Sequence, residues 1–553
     1  MTDDIARSRP LTRRSFIASA VAAAIAAGCS SDDDPSSGAP TPTTVAPTPA
    51  PEPTPASVPA VDLPGDPFTL GVASGDPTES SVILWTRLAP DPLSGGGMPG
   101  DDIEVMWEVA TDDAFTDVVR RGSAVAMAEL AHSVHVDADG LEPDSSYHYR
   151  FTIDDFTSPL GRTRTFPAAD TSPPNLRFGF SSCQNWEQGF YAAHRHAAAE
   201  DLAFFVWLGD YIYESGAGDG VRTHNGPEIM TLDDYRNRYA LYKTDLDLQA
   251  HHAARPWLTT WDDHEVENNY AGDNSENADP IDVFRDRRAG AYLAWYEHMP
   301  VRLDPPDGPD YEIHRDLVWG DLARFFVMDG RQYRADQPRD GESRPLPGFG
   351  DSASLGVFTL ADDAADPANT FLGAEQQRWL IDGMAASTQT WNFMAQQVLM
   401  QGLNILGTDP PLTVTDLWDG YAGSRREVLE QLAANGPDNI VVLTGDFHSA
   451  AAGDVRTDPF DLDTPVVASE FMATSISSAF FDGAEALAAL VLATNPQLKF
   501  FDARKGYTVC EMTPDALVAE YRAIADPADP DSPIETIATF DVAAGTPGVT
   551  LRP

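Results

Sequence analysis

Basic residues are scarce. There are 36 lysines and arginines against 86 aspartates and glutamates in 553 residues, a net charge of −50. Such a field repels phosphate polyanions at long range, so no nucleic-acid binding is expected and anionic lipid is disfavoured as a general partner. A polyanionic substrate then needs local neutralisation, which bound metal supplies. The acidity otherwise reads as a solvated surface suited to a salty or external environment. Cysteine is scarcer still: Cys29, Cys183 and Cys510 are too few and too widely spread for a disulfide framework. There is no Gly-x-Ser-x-Gly elbow, no glycine-rich phosphate loop ending in lysine and no Cys-x-x-Cys pair. Serine hydrolase, nucleotide triphosphatase and zinc-ribbon readings therefore lack support.

What is present begins with a targeting pattern. Thr12-Arg13-Arg14-Ser15-Phe16-Ile17 precedes an apolar stretch from Ala18 to Ala27, too short for the roughly 20 residues that span a bilayer. A basic start, a modest apolar region and small residues at its end read as a cleaved signal. The paired arginines resemble a twin-arginine export signal, and Ala26-Ala27-Gly28-Cys29 resembles a lipoprotein cleavage box with Cys29 lipidated. The expected partner is the twin-arginine machinery. The expected location is extracellular, cell-surface or periplasmic, with membrane contact only through the lipid anchor. From Ser30 to Pro64 the chain is mostly Asp, Ser, Thr, Pro and Ala, a composition that cannot bury enough apolar surface to order itself and reads as a disordered spacer.

The mature chain, 42% hydrophobic and 10% aromatic, is long enough for more than one core. Residues 65–168 are dense in short alternating runs such as Ser81–Arg87, Ile103–Val109, Ser133–Asp137 and Tyr147–Phe151. Their spacing fits an all-β sandwich, with a tyrosine corner approaching Tyr147. Asp170-Thr171-Ser172-Pro173-Pro174 marks a boundary. Beyond it, in residues 172–553, strand-like runs alternate with helical ones over 187–199, 232–241, 283–298, 374–386 and 425–434, which predicts an α/β domain with a buried sheet. Cys510 reads as a strand core residue.

Four apolar runs end in metal-ligating side chains. Leu202–Leu208 runs into Gly209-Asp210-Tyr211-Ile212-Tyr213-Glu214, Arg177–Phe180 into Ser181-Ser182-Cys183-Gln184, Pro256–Trp261 into Asp262-Asp263-His264-Glu265, and Ile440–Thr444 into Gly445-Asp446-Phe447-His448. Ligands of open α/β sheets sit past the carboxyl ends of strands, so these pieces are candidates for one site. Thiolate, phenolate, carboxylate and imidazole from Cys183, Tyr213, Asp210 and His448 favour a transition metal, ferric iron or zinc. Asp263 and Asp446, with Asp210 shared, offer oxygen only and suit calcium or magnesium. Two such cations clamp the attacking and leaving oxygens of an in-line displacement, with a metal-activated hydroxide as nucleophile. His264 is the candidate general acid, with Glu265 to orient it. Arg331, after the strand-like Ala323–Met328, is a candidate to hold a phosphate oxygen. Asn185, Asn268 and Asn269 read either as ligands or as turn caps.

At these residues the chain resembles the PhoD-type alkaline phosphatase/phosphodiesterase family of the calcineurin-like metallophosphoesterases. Phe68 to Pro77 and Leu84-Trp85-Thr86-Arg87 are similar to the opening of its N-terminal β-sandwich, of immunoglobulin or fibronectin type. Ser182-Cys183-Gln184, Gly209 to Glu214, Trp261 to Glu265 and Gly445 to Ser449 are similar to its metal motifs, in order. The resemblance implies a four-layer αββα catalytic domain. It implies ferric iron on Cys183, Asp210, Tyr213 and His448, and calcium on Asp210, Asp263 and Asp446. It also implies hydrolysis of phosphate mono- and diesters, and it leaves the region after Asp502 without assignment. The competing readings are a phospholipase D-like phosphodiesterase and a non-catalytic surface binding protein.

Overall fold

The computed structural model describes residues 63–339, 341–342, 357–360, 362–480 and 484–553. The expectations for Arg13, Arg14, Cys29 and nearly all of the spacer fall outside these residues. The parallel strands Leu176–Ser181, Phe205–Leu208 and Pro256–Thr260 lie side by side, with Trp207 opposite both Ser181 and Thr259. Because their carboxyl ends align, the residues that follow each strand leave the sheet at one rim. The strands belong to a ten-stranded sheet. On one side it continues through the C-terminal strands Gly506–Met512, Ala516–Ile524, Ile534–Ala543 and Thr546–Leu551, and on the other through Val72–Gly75, Val82–Arg87 and Ser133–Ala138. A second, seven-stranded sheet runs in the order Arg315–Trp319, Ala323–Val327, Trp391–Ala395, Ile440–Thr444, Val466–Met472, Ala450–Arg456 and Leu498–Asp502.

Side-chain alternation along the strands assigns each face to a core. Val206 and Leu208 pack with Phe325, Phe393 and Val441 of the second sheet. Phe205 and Trp207, pointing the other way, pack with Tyr239, Leu248, Tyr292 and Trp295 from helices Leu232–Lys243, Leu246–Ala254 and Ile281–His298. On the far face of the second sheet, Phe326, Met394 and Val442 meet Leu380, Val428 and Leu432 from helices Gly373–Ala385 and Ala422–Asn435. Each such side chain contributes roughly 1.5–3 kcal/mol by leaving water. The first of these helices starts where it does because Thr231 accepts from the Asp234 N–H while the Asp234 carboxylate accepts from the Thr231 N–H at 2.9 Å, a reciprocal cap.

The N-terminal region is all-β apart from one 3-10 turn, Ala128–Leu130. Its strands Val72–Gly75, Val82–Arg87 and Ser133–Ala138 share a core with the separate sheet that holds Ile103–Ala110 and Ser146–Ile153. The Tyr147 hydroxyl accepts the Glu142 N–H at 2.9 Å, as the tyrosine corner requires. The chain boundary at 170–174 is not a boundary between sheets. Ser74 pairs with Pro256 and Gly75 with Trp257, so the first strands extend the sheet that carries the site. The helix expected over 187–199 forms only over Ala192–Ala199, because the Glu187 carboxylate is drawn away by the N–H groups of Gly218 and His224, at 2.9 Å each. Cys510 is fully buried opposite Phe178, and its strand is the direct neighbour of Leu176–Ser181. Among the described residues no helix is long and apolar enough to cross a membrane.

Candidate metal centre

At the rim each chain segment must turn at once. Gly209 has φ +103°, and a Cβ there would lie 2.4 Å from the Asp262 Cβ, so only glycine fits. The next residues are strained: Cys183, Asp210, Asp446 and His448 are left-handed, at φ 57°, 55°, 60° and 51°. Non-glycine residues in that region cost of order 1–3 kcal/mol each and persist where the surroundings over-determine them. Here the Cys183 and Gln184 N–H groups bond the Gly209 and Asp210 carbonyls at 3.1 Å. Glu265 accepts from the N–H groups of Asp210, Tyr211 and Asp262 at 2.9, 2.6 and 2.8 Å. Glu265 therefore ties the turn that carries Asp210 and Tyr213 to the turn that carries Asp262 and Asp263. The expectation that it orients His264 is corrected: Glu214 does so, its Oε2 lying 2.6 Å from His264 Nδ1. Adjacent residues of that tight turn point to opposite sides, and sequence adjacency does not reveal this.

Cys183, Asp210, Tyr213 and His448 converge. The Tyr213 hydroxyl oxygen lies 2.9 Å from Asp210 Oδ2 and 2.9 Å from His448 Nε2. His448 Nδ1 donates to the Ala479 carbonyl at 2.9 Å, which leaves Nε2 as a lone pair facing inward. One phenol proton cannot serve both acceptors, and Asp210 Oδ1 is buried with no partner. A cation satisfies all of them, and the thiol, carboxylate and imidazole atoms of Cys183, Asp210 and His448 all lie within 4.8 Å of one another. Burial, reinforced by the Asp210 charge, pushes the Cys183 thiol and the Tyr213 phenol well above their usual ranges. Held as anions, these groups require positive charge beside them.

A second group of donors is Asp262, Asp263 and Asp446, and a third joins Asp210 and Asp263 to His264. Asp263 Oδ1 and Asp262 Oδ2 are buried and unpartnered by hydrogen bonds. Burial, added to by Asp262, pushes the Asp446 carboxyl well up, and burial also raises that of Asp262 to about 6. Asp263 is held low despite burial because Arg331 and His264 favour its charge. Arg331 is not aimed at open space. It is fully buried, bonds Asp262, and reaches Asp416 at 2.8 Å, Asp446 at 3.2 Å and Asp263 at 3.4 Å. The expectation that it holds a substrate phosphate gives way to that of a counter-ion among carboxylates. Arg334 shares Asp416 at 2.9 Å.

His264 stands between the donor groups, its ring centroid 4.1 Å from that of Tyr213. Burial alone would neutralise it, yet Glu214, Asp210 and Asp263 hold its pKa well above the usual value. Of the three asparagines only Asn185 caps a turn with its side chain, Oδ1 accepting the Glu187 N–H at 2.9 Å; the Asn268 and Asn269 side chains donate to Glu276 at 2.8 and 3.5 Å, and their backbone N–H groups bond Glu214 Oε1 at 2.9 Å and Asp263 Oδ2 at 2.5 Å. Sequence reasoning gave no role to Asp262, Glu214, Asp416 or Ser478. The first two stood inside motifs already singled out. Asp416 and Ser478 had no local signal, because only the packing of distant loops brings them in.

A mixed α/β fold whose strand ends gather thiol, phenol, imidazole and shared carboxylates defines the class of a metal-dependent hydrolase. Comparison with known proteins narrows it. The family model described as PhoD-like phosphatase matches residues 178–521, and its N-terminal domain matches residues 54–167. Alkaline phosphatase D of Bacillus subtilis (strain 168) is 44% identical over 483 residues, 86% of this chain and 80% of that relative. A solved structure of PhoD aligns with a TM-score of 0.83 at 42% identity, covering 89% of this chain and 94% of that one. The chain belongs to the PhoD-like phosphatase family and is a phosphoric ester hydrolase of the alkaline phosphatase D type.

Proposed function

We propose that the protein hydrolyses phosphate mono- and diesters outside the cytoplasm, with ferric iron and calcium as resident cations. The observation that carries this is the crowding of acceptor atoms around the Tyr213 oxygen beside an unpartnered Asp210 oxygen. Cys183, Asp210, Tyr213 and His448 would hold iron, since their softer and nitrogen donors suit a transition metal. Asp210, Asp263 and Asp446 would hold calcium through oxygen. Bound there, the cations supply Lewis acidity toward a phosphoryl oxygen and an acidified water. The chain supplies the rest. His264, held protonated by Glu214, delivers a proton to the departing ester oxygen. Arg331 neutralises the carboxylate cluster from behind.

The same reading covers the architecture and the route of export. Three cores support a four-layer αββα catalytic domain over 172–553, and a fourth, N-terminal core supports an immunoglobulin- or fibronectin-like sandwich over 65–168. Arg13-Arg14 and Cys29 support twin-arginine export and a lipid anchor at the cell surface, with 30–64 as spacer. Replacing both arginines by lysine tests the route, since unchanged surface protein refutes it. The activity is tested with a chromogenic phosphodiester on natively exported protein supplied with calcium. Turnover that a chelator abolishes supports the reading. No turnover from folded, metal-loaded protein overturns it.

A further inference from the structure

The turn Ser475–Ala479 is built around the metal centre. The Ile476 N–H bonds the Ser182 carbonyl at 3.1 Å, those of Ser477 and Ser478 bond the Cys183 carbonyl at 3.4 Å, and the Ala479 carbonyl takes the His448 Nδ1 proton. Within this turn Ser478 makes a contact that backbone packing does not explain. Its hydroxyl lies 2.7 Å from the Tyr213 oxygen, and both groups are buried. The direction of the bond follows from a third group: the Asn185 N–H points at Ser478 Oγ from 2.9 Å, so that oxygen accepts from Asn185 and its own hydrogen is free to point at Tyr213. The Tyr213 oxygen then accepts from Ser478, and its own proton can go to Asp210 Oδ2 or to His448 Nε2 but not to both; with that proton removed, its remaining lone pairs are open to a cation held among the three.

We propose that Ser478 is a positioning residue of the metal centre, donating its hydroxyl hydrogen to the Tyr213 oxygen and aiming that oxygen at the cation shared with Cys183, Asp210 and His448. This rests on Tyr213 being a ligand. Hydrogen bonds of this kind orient ligand atoms, and their loss typically costs about 10–100-fold in metal affinity. A hydrogen bond to a coordinated phenolate also lowers the energy of its donor orbital, so removing it moves phenolate-to-ferric charge-transfer absorption to longer wavelength.

The test loads the full exported protein with ferric ion and records the visible spectrum and iron retention against a competing chelator. The wild type, Y213F, S478A and S478C are compared. The expected result is a band present in the wild type and absent in Y213F. In S478A and S478C, whose thiol is a weak donor, the band moves to longer wavelength and retention falls about 10–100-fold. A wild-type band lost in Y213F but unmoved in both Ser478 variants, with unchanged retention, overturns the role of Ser478 alone. A spectrum identical in wild type and Y213F overturns the ligand role of Tyr213 and this inference with it. S478C keeps a polar atom facing the Asn185 N–H, so the comparison survives if alanine disturbs the turn.

Discussion

Glu214 Oε2 lies 2.6 Å from His264 Nδ1, and the same carboxylate accepts the Asn268 N–H at 2.9 Å through its other oxygen. The histidine is therefore fixed in orientation and charge by a residue from a different strand end. An amide in place of Glu214 keeps only one of the two contacts. Replacing His264 by Asn is expected to lower kcat roughly 10²–10⁴-fold on alkyl phosphodiesters and far less on nitrophenyl esters, whose leaving groups need no proton. E214Q should move in the same direction by a smaller factor. A leaving-group series checks this, and equal losses on both substrate types would refute a general-acid role.

Asp210, grouped with Cys183 and His448 on one side and with Asp263 on the other, is the carboxylate common to both proposed cation sites, whereas Cys183 belongs to one. D210N should therefore lose both cations, whereas C183A should lose one. Elemental analysis of purified variants measures the stoichiometry. Full retention of metal in D210N would refute the shared-carboxylate assignment.

Arg331 is fully buried, with Asp262, Asp416 and Asp446 around it. Removing one partner of a buried charge cluster leaves the others unpaired, at a cost of about 3–5 kcal/mol. R331M should lose that much stability in denaturant titration. R331K should rescue little, because a point ammonium cannot span three carboxylates as a planar fork does. A stable R331M would show that the carboxylates find partners elsewhere.

Lys243 lies 4.2 Å from the Trp85 ring centroid and 5.2 Å from that of Tyr211. Burial lowers its pKa to about 7. In the unfolded chain it returns to about 10.4, so between these values the unfolded state binds more protons. Stability should then rise with pH from about 7 to about 10, by at most about 1.4 kcal/mol per unit; below 7 both states carry the proton, so the slope from this group vanishes while its full destabilising cost remains. K243M should remove that slope in thermal melts across the window, and an unchanged slope would assign it to other groups.

The strand-end motifs were legible because chemistry and topology coincide there. An apolar run long enough for a buried strand, then glycine or a polar turn, then a ligand, is local information. Cys183, Asp210, Tyr213, Asp263, Asp446 and His448 were singled out together, by the coincidence of four such strand ends, since a motif such as Asp446-Phe447-His448 alone also arises by chance. The continuity of the N-terminal strands with the catalytic sheet was not legible. The pairing of Ser74 with Pro256 uses backbone groups that every residue carries. The engagement of Arg331 was not legible for a related reason: all four of its carboxylates lie 68 to 115 residues away, and the sequence around Arg331 fits a phosphate clamp or a salt-bridged surface arginine equally well.

By itself, then, the sequence determined the donor types, their order and their attachment to strand ends, because alternation and turn chemistry act over a few residues. Only the tertiary structure decided how those donors share protons and charge. Tyr213 between Asp210 and His448, Ser478 behind Tyr213, Glu214 rather than Glu265 on His264, and Arg331 inside its ring of carboxylates are all contacts between loops far apart in the chain. They follow from how two sheets pack their rims together, a relation that no local pattern encodes.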